Sequence, residues 1–173
     1  MTMSVNVTNK RELIRLLDIL LLPAGFVRSK EDWYLDNREC VAVIGLGKSL
    51  YGGQFGLGID LLLKELRPEL LPFPPCHLCH FRGLALEFLL PDGERLKAAL
   101  NLENDLSSAV REEVISNAIT KYAVPFVLPL NSKQVLAQEI KTNEDFKPYC
   151  RLELKLALER DGYLSHADWK LDL

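Results

Sequence analysis

Histidine, methionine and tryptophan are scarce in this 173-residue chain, at three, two and two residues. No stretch reaches the ~18 consecutive apolar residues that a membrane-spanning helix needs. Nor does it contain the blocks of about five or more like charges that mark interaction tails. The net charge of −3 and a pI near 5.7 lack the basic footprint of a nucleic-acid or anionic-membrane binder, so neither partner is expected. The N-terminal residues, broken by Asn6, Asn9, Lys10, Arg11, Glu12 and Arg15, hold no apolar core of an export signal. A cytoplasmic location follows as the expectation. In that compartment Cys40, Cys76, Cys79 and Cys150 read as thiols rather than as a disulfide framework. Neither an H-x-x-x-H nor a G-x-S-x-G string occurs, so no catalytic residue is nominated and an enzyme is the less favoured reading.

What is present has the proportions of an ordinary globular chain, 48% hydrophobic and 26% charged. A chain of this length buries about 70% of its unfolded surface, enough for a core without bridges or metal. One domain over residues 1–173 is expected, with a sheet region at about 26–90 and a helical region at about 105–173. Leu13, Leu16, Leu17, Leu20 and Leu21 fall on one helical stripe, with Asn9 and Glu12 as a capping pair and Pro23 and Gly25 as the stop. Beyond Gly25 the period becomes two: a short hairpin through Trp33, Tyr34 and Leu35, a strand from Cys40 to Leu46, and another in which Phe55, Leu57, Ile59 and Leu61 alternate with Gln54, Gly56, Gly58 and Asp60. Four prolines within residues 66–75 predict an extended crossing loop, and a fifth strand is expected over Cys76–Leu84. Pro91-Asp92-Gly93 reads as a turn. Helices are expected at Leu106–Tyr122, at Lys133–Lys141 behind Ser132, and at Pro148–Arg160, with Ser165 and Asp168 capping a last short one. Leu152, Leu154, Leu156 and Leu158 fit a strand as well as a helix; Pro148 and Gly162 at the two ends favour helix. The order of elements is that of an α+β domain: an antiparallel sheet of about five strands with helices on one face, an N-terminal helix and a helical C-terminal half.

Two strings resemble chemical motifs. Ala42 to Ser49 ends in Gly-Lys-Ser like a phosphate-binding loop, but that loop requires Lys48 and Ser49 to open a helix. Here Gly52, Gly53 and Gly56 follow and the surrounding period is two, so a strand end and a glycine-rich hairpin are expected. Cys76-His77-Leu78-Cys79-His80 has the c-type haem spacing and half the donors of a structural zinc site. Haem attachment belongs to exported proteins, and the available methionines, Met1 and Met3, sit at the terminus. Zinc lacks a second pair of donors near at hand. No cofactor and no metal ligand are nominated, and a zinc-stabilised domain using Cys76 and Cys79 stays as an alternative.

A third feature is a pattern of glycines. If the strands form a meander, Gly45 and Gly47 share one face of their strand, and Gly56, Gly58 and Asp60 one face of the next; register decides whether they coincide. A floor without side chains accepts either a closely packed helix or a ligand or peptide, with Trp33, Tyr34, His80 or Arg82 as walls. Trp33, Tyr34, Ser49, His80 and Arg82 are the nominated ligand-binding residues.

Gly25-Phe26 after the leucine-rich helix, Trp33-Tyr34, Val41-Ala42-Val43-Ile44 leading to Lys48-Ser49, the Gln54–Ile59 strand, Cys76-His77 to Arg82, and Tyr122-Ala123-Val124-Pro125-Phe126 together resemble the bacterial family known as domain of unknown function 4304. The likeness runs over roughly residues 10–165. Where the family tends to carry a Gln two residues before the Ser, this chain has Gly47. The resemblance implies a compact α+β domain and brings no activity with it. The expectation is a cytosolic, non-enzymatic module that binds a protein, a small ligand or a second copy of itself as a homodimer. Its contact surfaces would be the exposed sheet face and the stretch from Leu61 to Pro75. A hydrolase or transferase acting over the glycine floor is the alternative.

Overall fold

The computed structural model describes residues 5–50 and 52–169; Met1, Met3 and Tyr51 lie outside the described residues. Helix α1 spans Lys10–Leu21. The side-chain oxygen of Asn9 accepts the Glu12 N–H at 3.1 Å, and Leu13, Leu16, Leu17 and Leu21 are buried. Gly25, at φ 95°, closes the turn that follows Pro23 in the left-handed conformation that only glycine adopts without strain.

Five antiparallel strands follow in sequential order, β1 (Val27–Ser29), β2 (Asp32–Asp36), β3 (Cys40–Lys48), β4 (Phe55–Leu63) and β5 (Phe81–Ala85). Side chains alternate between the two faces. On one face Trp33, Leu35, Ala42, Ile44, Leu46, Leu57, Ile59 and Leu61 join the main core with α1 and the later helices. The Trp33 ring is fully buried there and its Nε1–H donates to Asp18 Oδ1 at 2.9 Å, which satisfies the only polar atom of the indole. On the other face Tyr34, Val41, Val43, Leu62 and Cys79 form a smaller cluster, roofed by the proline-rich segment through Leu70 and Cys76.

The helices are α2 (Gly93–Leu100), α3 (Ser108–Ala118), α4 (Val124–Val127), α5 (Lys133–Thr142) and α6 (Leu152–Arg160). A π turn over Ile119–Ala123 joins α3 to α4 just ahead of Pro125, so this helical run passes the expected end at Tyr122. Ser107 and Ser132 cap α3 and α5, accepting the N–H groups of Val110 and Val135. Buried Arg111 donates to the carbonyls of Ala99 and Asn101 at 2.6 Å each and to Asn104 Oδ1 at 2.9 Å. It closes the C-terminal end of α2 with a guanidinium, where the helix dipole favours a cation.

Three expectations are corrected. Asp92-Gly93 starts a helix rather than making only a turn, because the Asp92 side chain accepts the Arg95 N–H as an N-cap. The fifth strand begins only at Phe81, since Cys76–Leu78, behind Pro74 and Pro75, wind into a 3-10 turn. At the C-terminal end Pro148 lies inside a 3-10 turn, Glu144–Tyr149, and the helix starts at Leu152. The leucine run there is helical, with Leu154 and Leu158 buried and Leu152 and Leu156 exposed, a spacing of four. Just before it, Phe81 forms a bridge with Cys150 and the His80 carbonyl accepts the Arg151 N–H at 2.8 Å.

Candidate functional site

Register brings the glycines together. Gly45 pairs with Gly58 and Gly47 with Gly56 across β3 and β4. The four lie on the face away from the helices, beyond the end of the proline-rich roof. A Cβ placed on Gly47, Gly56 or Gly58 would meet nothing within 4 Å, so no helix packs there. Over this floor lies an open cleft of about 740 Å³, inside the ~300–1,000 Å³ range of small-molecule sites. The Gly-Lys-Ser string forms its far end as extended β3 running into a hairpin, as its two-residue period requires, and not as a helix start.

Five elements build the walls. β2 contributes Asp32, paired with Gly45, and β4 contributes Asp60, two residues beyond Gly58 on the same face. The turn at Cys76 brings its Sγ over Gly45 between them, 3.6 Å from where a Cβ would stand. At Gly45 that Cβ would lie 2.9 Å from Asp32 Oδ1, so any larger residue would have to displace the Asp32 side chain. Opposite, the turn over Leu86–Leu89 supplies Glu87 and α2 supplies Lys97. The Gln54 side chain donates to the Lys97 carbonyl at 3.1 Å and fastens α2 to the hairpin.

Asp60 sits where the β4–β5 register shifts between Ile59 and Leu61. Its side chain, 5% exposed, takes the place of a ladder acceptor and receives the Gly83 N–H at 2.8 Å. Asp32 Oδ2 accepts the Tyr34 hydroxyl at 3.4 Å. Burial raises the proton affinity of both carboxyls above the ordinary carboxylate range, more than the Tyr34, Gly83 and Cys76 hydrogen bonds lower it. Burial, followed by the nearby Asp60 and Asp32 charges, pushes the Cys76 thiol up to about 12, so it is protonated at neutral pH and a poor nucleophile.

Of the nominated residues, Ser49 lines the cleft and Trp33 does not, being in the core on the opposite face. Tyr34 is one bond removed, beneath Phe73 with ring centroids 5.1 Å apart and reaching the cleft only through Asp32. His80 is a buried clamp. Its Nδ1 accepts the Leu63 N–H at 3.0 Å, so its proton belongs on Nε2, which faces Glu153 Oε2 at 3.4 Å. Burial lowers the proton affinity of this imidazole. Arg82 is exposed and donates to the His77 carbonyl at 3.0 Å. Cys76 faces the cleft while Cys79 is buried, its thiol directed at the Pro75 carbonyl at 3.8 Å. Among the described residues no three His, Cys, Asp or Glu side chains are grouped to hold a metal ion.

Asp32, Cys76 and Lys97 line the cleft as well, although none of them is among the nominated residues. Asp32 carried a usable signal: it shares parity with Tyr34 on β2, which puts it on the glycine side and Trp33 on the other. Comparison with curated proteins gave no match, and comparison with solved structures gave none either. A family model matches residues 17–128, from the second half of α1 through the end of α4 and so across all five strands and the cleft. On that match the chain belongs to the family described as Domain of unknown function (DUF4304).

Proposed function

We propose that this protein is a non-enzymatic binding module whose ligand is a small molecule lying on the glycine floor. The observation that carries this reading is the matched pair of glycine pairs under an open cleft. Glycine inside a strand weakens it by roughly 0.5–1 kcal/mol relative to alanine, and at positions 47, 56 and 58 no neighbour occupies the space a methyl group would take. Packing therefore gives no reason for glycine there, whereas close approach of a ligand to the main chain does. The high proton affinity of the Cys76 thiol favours binding over nucleophilic chemistry.

The test is a thermal-shift and NMR fragment screen on the wild type and on Gly58→Val. Because nothing lies within 4 Å of the added Cβ, the variant is expected to keep its melting temperature while its branched side chain fills the floor. Fragments that bind the wild type should lose at least about tenfold in affinity. Fragments that bind Gly58→Val equally well would place the ligand elsewhere and overturn the reading.

A further inference from the structure

Cross-strand rows describe the cleft. One row runs Asp32, Gly45, Gly58, Ala85; the row behind it runs Tyr34, Val43, Asp60; the row in front holds Gly47 and Gly56. With about 3.3 Å per residue along a strand and about 4.8 Å between strands, the four glycines span about 7 Å by 5 Å; the Gly45 corner lies under Asp32 and Cys76, and Gly47, Gly56 and Gly58 form the open part, on which the edge of a six-membered ring can lie. Asp32 flanks the floor beside Gly45 and Asp60 stands behind Gly58, each hydrogen-bonded to the Cys76 thiol.

Neither of these two carboxylates is ion-paired: among the described residues, neither has an Arg or Lys nitrogen within ion-pair distance. Their hydrogen-bond partners are neutral: the Tyr34 hydroxyl, the Gly83 N–H and the Cys76 thiol. Arg82 acts on Asp60, and Lys30 and Glu31 act with opposite signs on Asp32, but only through space. Lys48 lies at the far end of the cleft: along the strands its backbone is five residues from the level of Asp60, about 17 Å, and three from Gly45, the partner of Asp32, about 10 Å, and it makes no ion pair with either carboxylate among the described residues. Lys97 is held by Glu94 at 2.7 Å. Burying carboxylates without a counter-charge is costly, and a cation entering the cleft would offset that cost.

Building on the reading of the cleft as a ligand site, we propose that its ligand carries a cationic head group, an ammonium, amidinium or guanidinium, seated against Asp32 and Asp60, with a ring-sized body on the glycine floor. Benzamidine is the probe, compared by titration calorimetry at neutral pH and low salt with neutral benzamide and anionic benzoate, which share its ring. Benzamidine is expected to bind at least about tenfold more tightly than benzamide, with no heat from benzoate. Asp60→Asn should remove that advantage and leave benzamide unchanged; Asp32→Asn is the second variant should Asp60→Asn not fold. Equal binding of benzamidine and benzamide, preference for benzoate, or no benzamidine binding at millimolar concentration would overturn the proposal. The two readings fail separately. If all three probes bind alike and Gly58→Val abolishes them together, the head-group inference falls and the cleft stands; if benzamidine binds Gly58→Val undiminished, the location falls with it.

Discussion

On the sheet face turned away from the helices, Val41, Val43 and Leu62 lie beneath the proline-rich segment, while further along the same strands Gly47, Gly56 and Gly58 stand open. In the roofed half every residue from Leu61 to Leu63 is buried, so β4 there is apolar on both faces. In the open half buried Phe55 and Leu57 alternate with exposed Gly56 and half-buried Gly58. One half gains stability from side-chain burial. The other gives up that burial and keeps the most flexible residue in the chain, at about 0.5–1 kcal/mol per glycine, a noticeable share of the ~5–15 kcal/mol by which folded domains are stable. The contrast separates sequence that serves folding from sequence that serves what the cleft accommodates.

That separation can be broken by substitution. The largest effect is expected in the roofed half, where Leu62→Ala removes a fully buried side chain and should cost about 2–5 kcal/mol in urea unfolding. In the open half Gly58→Ala should have the opposite sign, stabilising by about 0.5–1 kcal/mol. Gly45→Ala sharpens the comparison, because its methyl group would stand 2.9 Å from Asp32 Oδ1 and should forfeit the gain. A loss of stability on Gly58→Ala would mean that the floor has a packing role after all.

The smallest effect concerns pH. Asp32 and Asp60 hold protons more tightly in the folded than in the unfolded chain. Their contribution to stability is therefore greatest at acid pH and is lost as pH rises through their elevated folded values. Asp60→Asn, facing Asp32, Cys76 and Arg82, should flatten this fall in a series of melting curves from acid to neutral pH. Buried His80 acts with the opposite sign: its lowered proton affinity makes stability fall as pH drops below the ordinary histidine value. A curve for Asp60→Asn that parallels the wild type would exclude Asp60 from the pH response.

Much of this was legible in the chain. The leucine stripe and Asn9 gave α1, and the alternation around the glycines gave β3, β4 and the shared face. The glycine pairing itself needed the register, which periodicity does not carry. Elsewhere local signals were ambiguous. Asp-Gly serves both a turn and a helix N-cap, which hid α2 and with it Lys97. Two prolines before Cys76 allowed either a strand start or a 3-10 turn, and the second outcome puts Cys76 over the cleft while Cys79 is buried. Trp33 stood out by size, although size does not say which face a side chain occupies.

The bridge from Phe81 to Cys150 and the His80 to Arg151 hydrogen bond come from chain beyond the family match, which ends at residue 128. They occupy the outer rim of β5, and the opposite rim is β1, only three residues long. Exposed rims of that kind are where sheets recruit foreign strands and begin to aggregate. With one rim paired at its Phe81 end and the other only three residues long, this sheet offers a short template for end-to-end growth even though half of one face is bare.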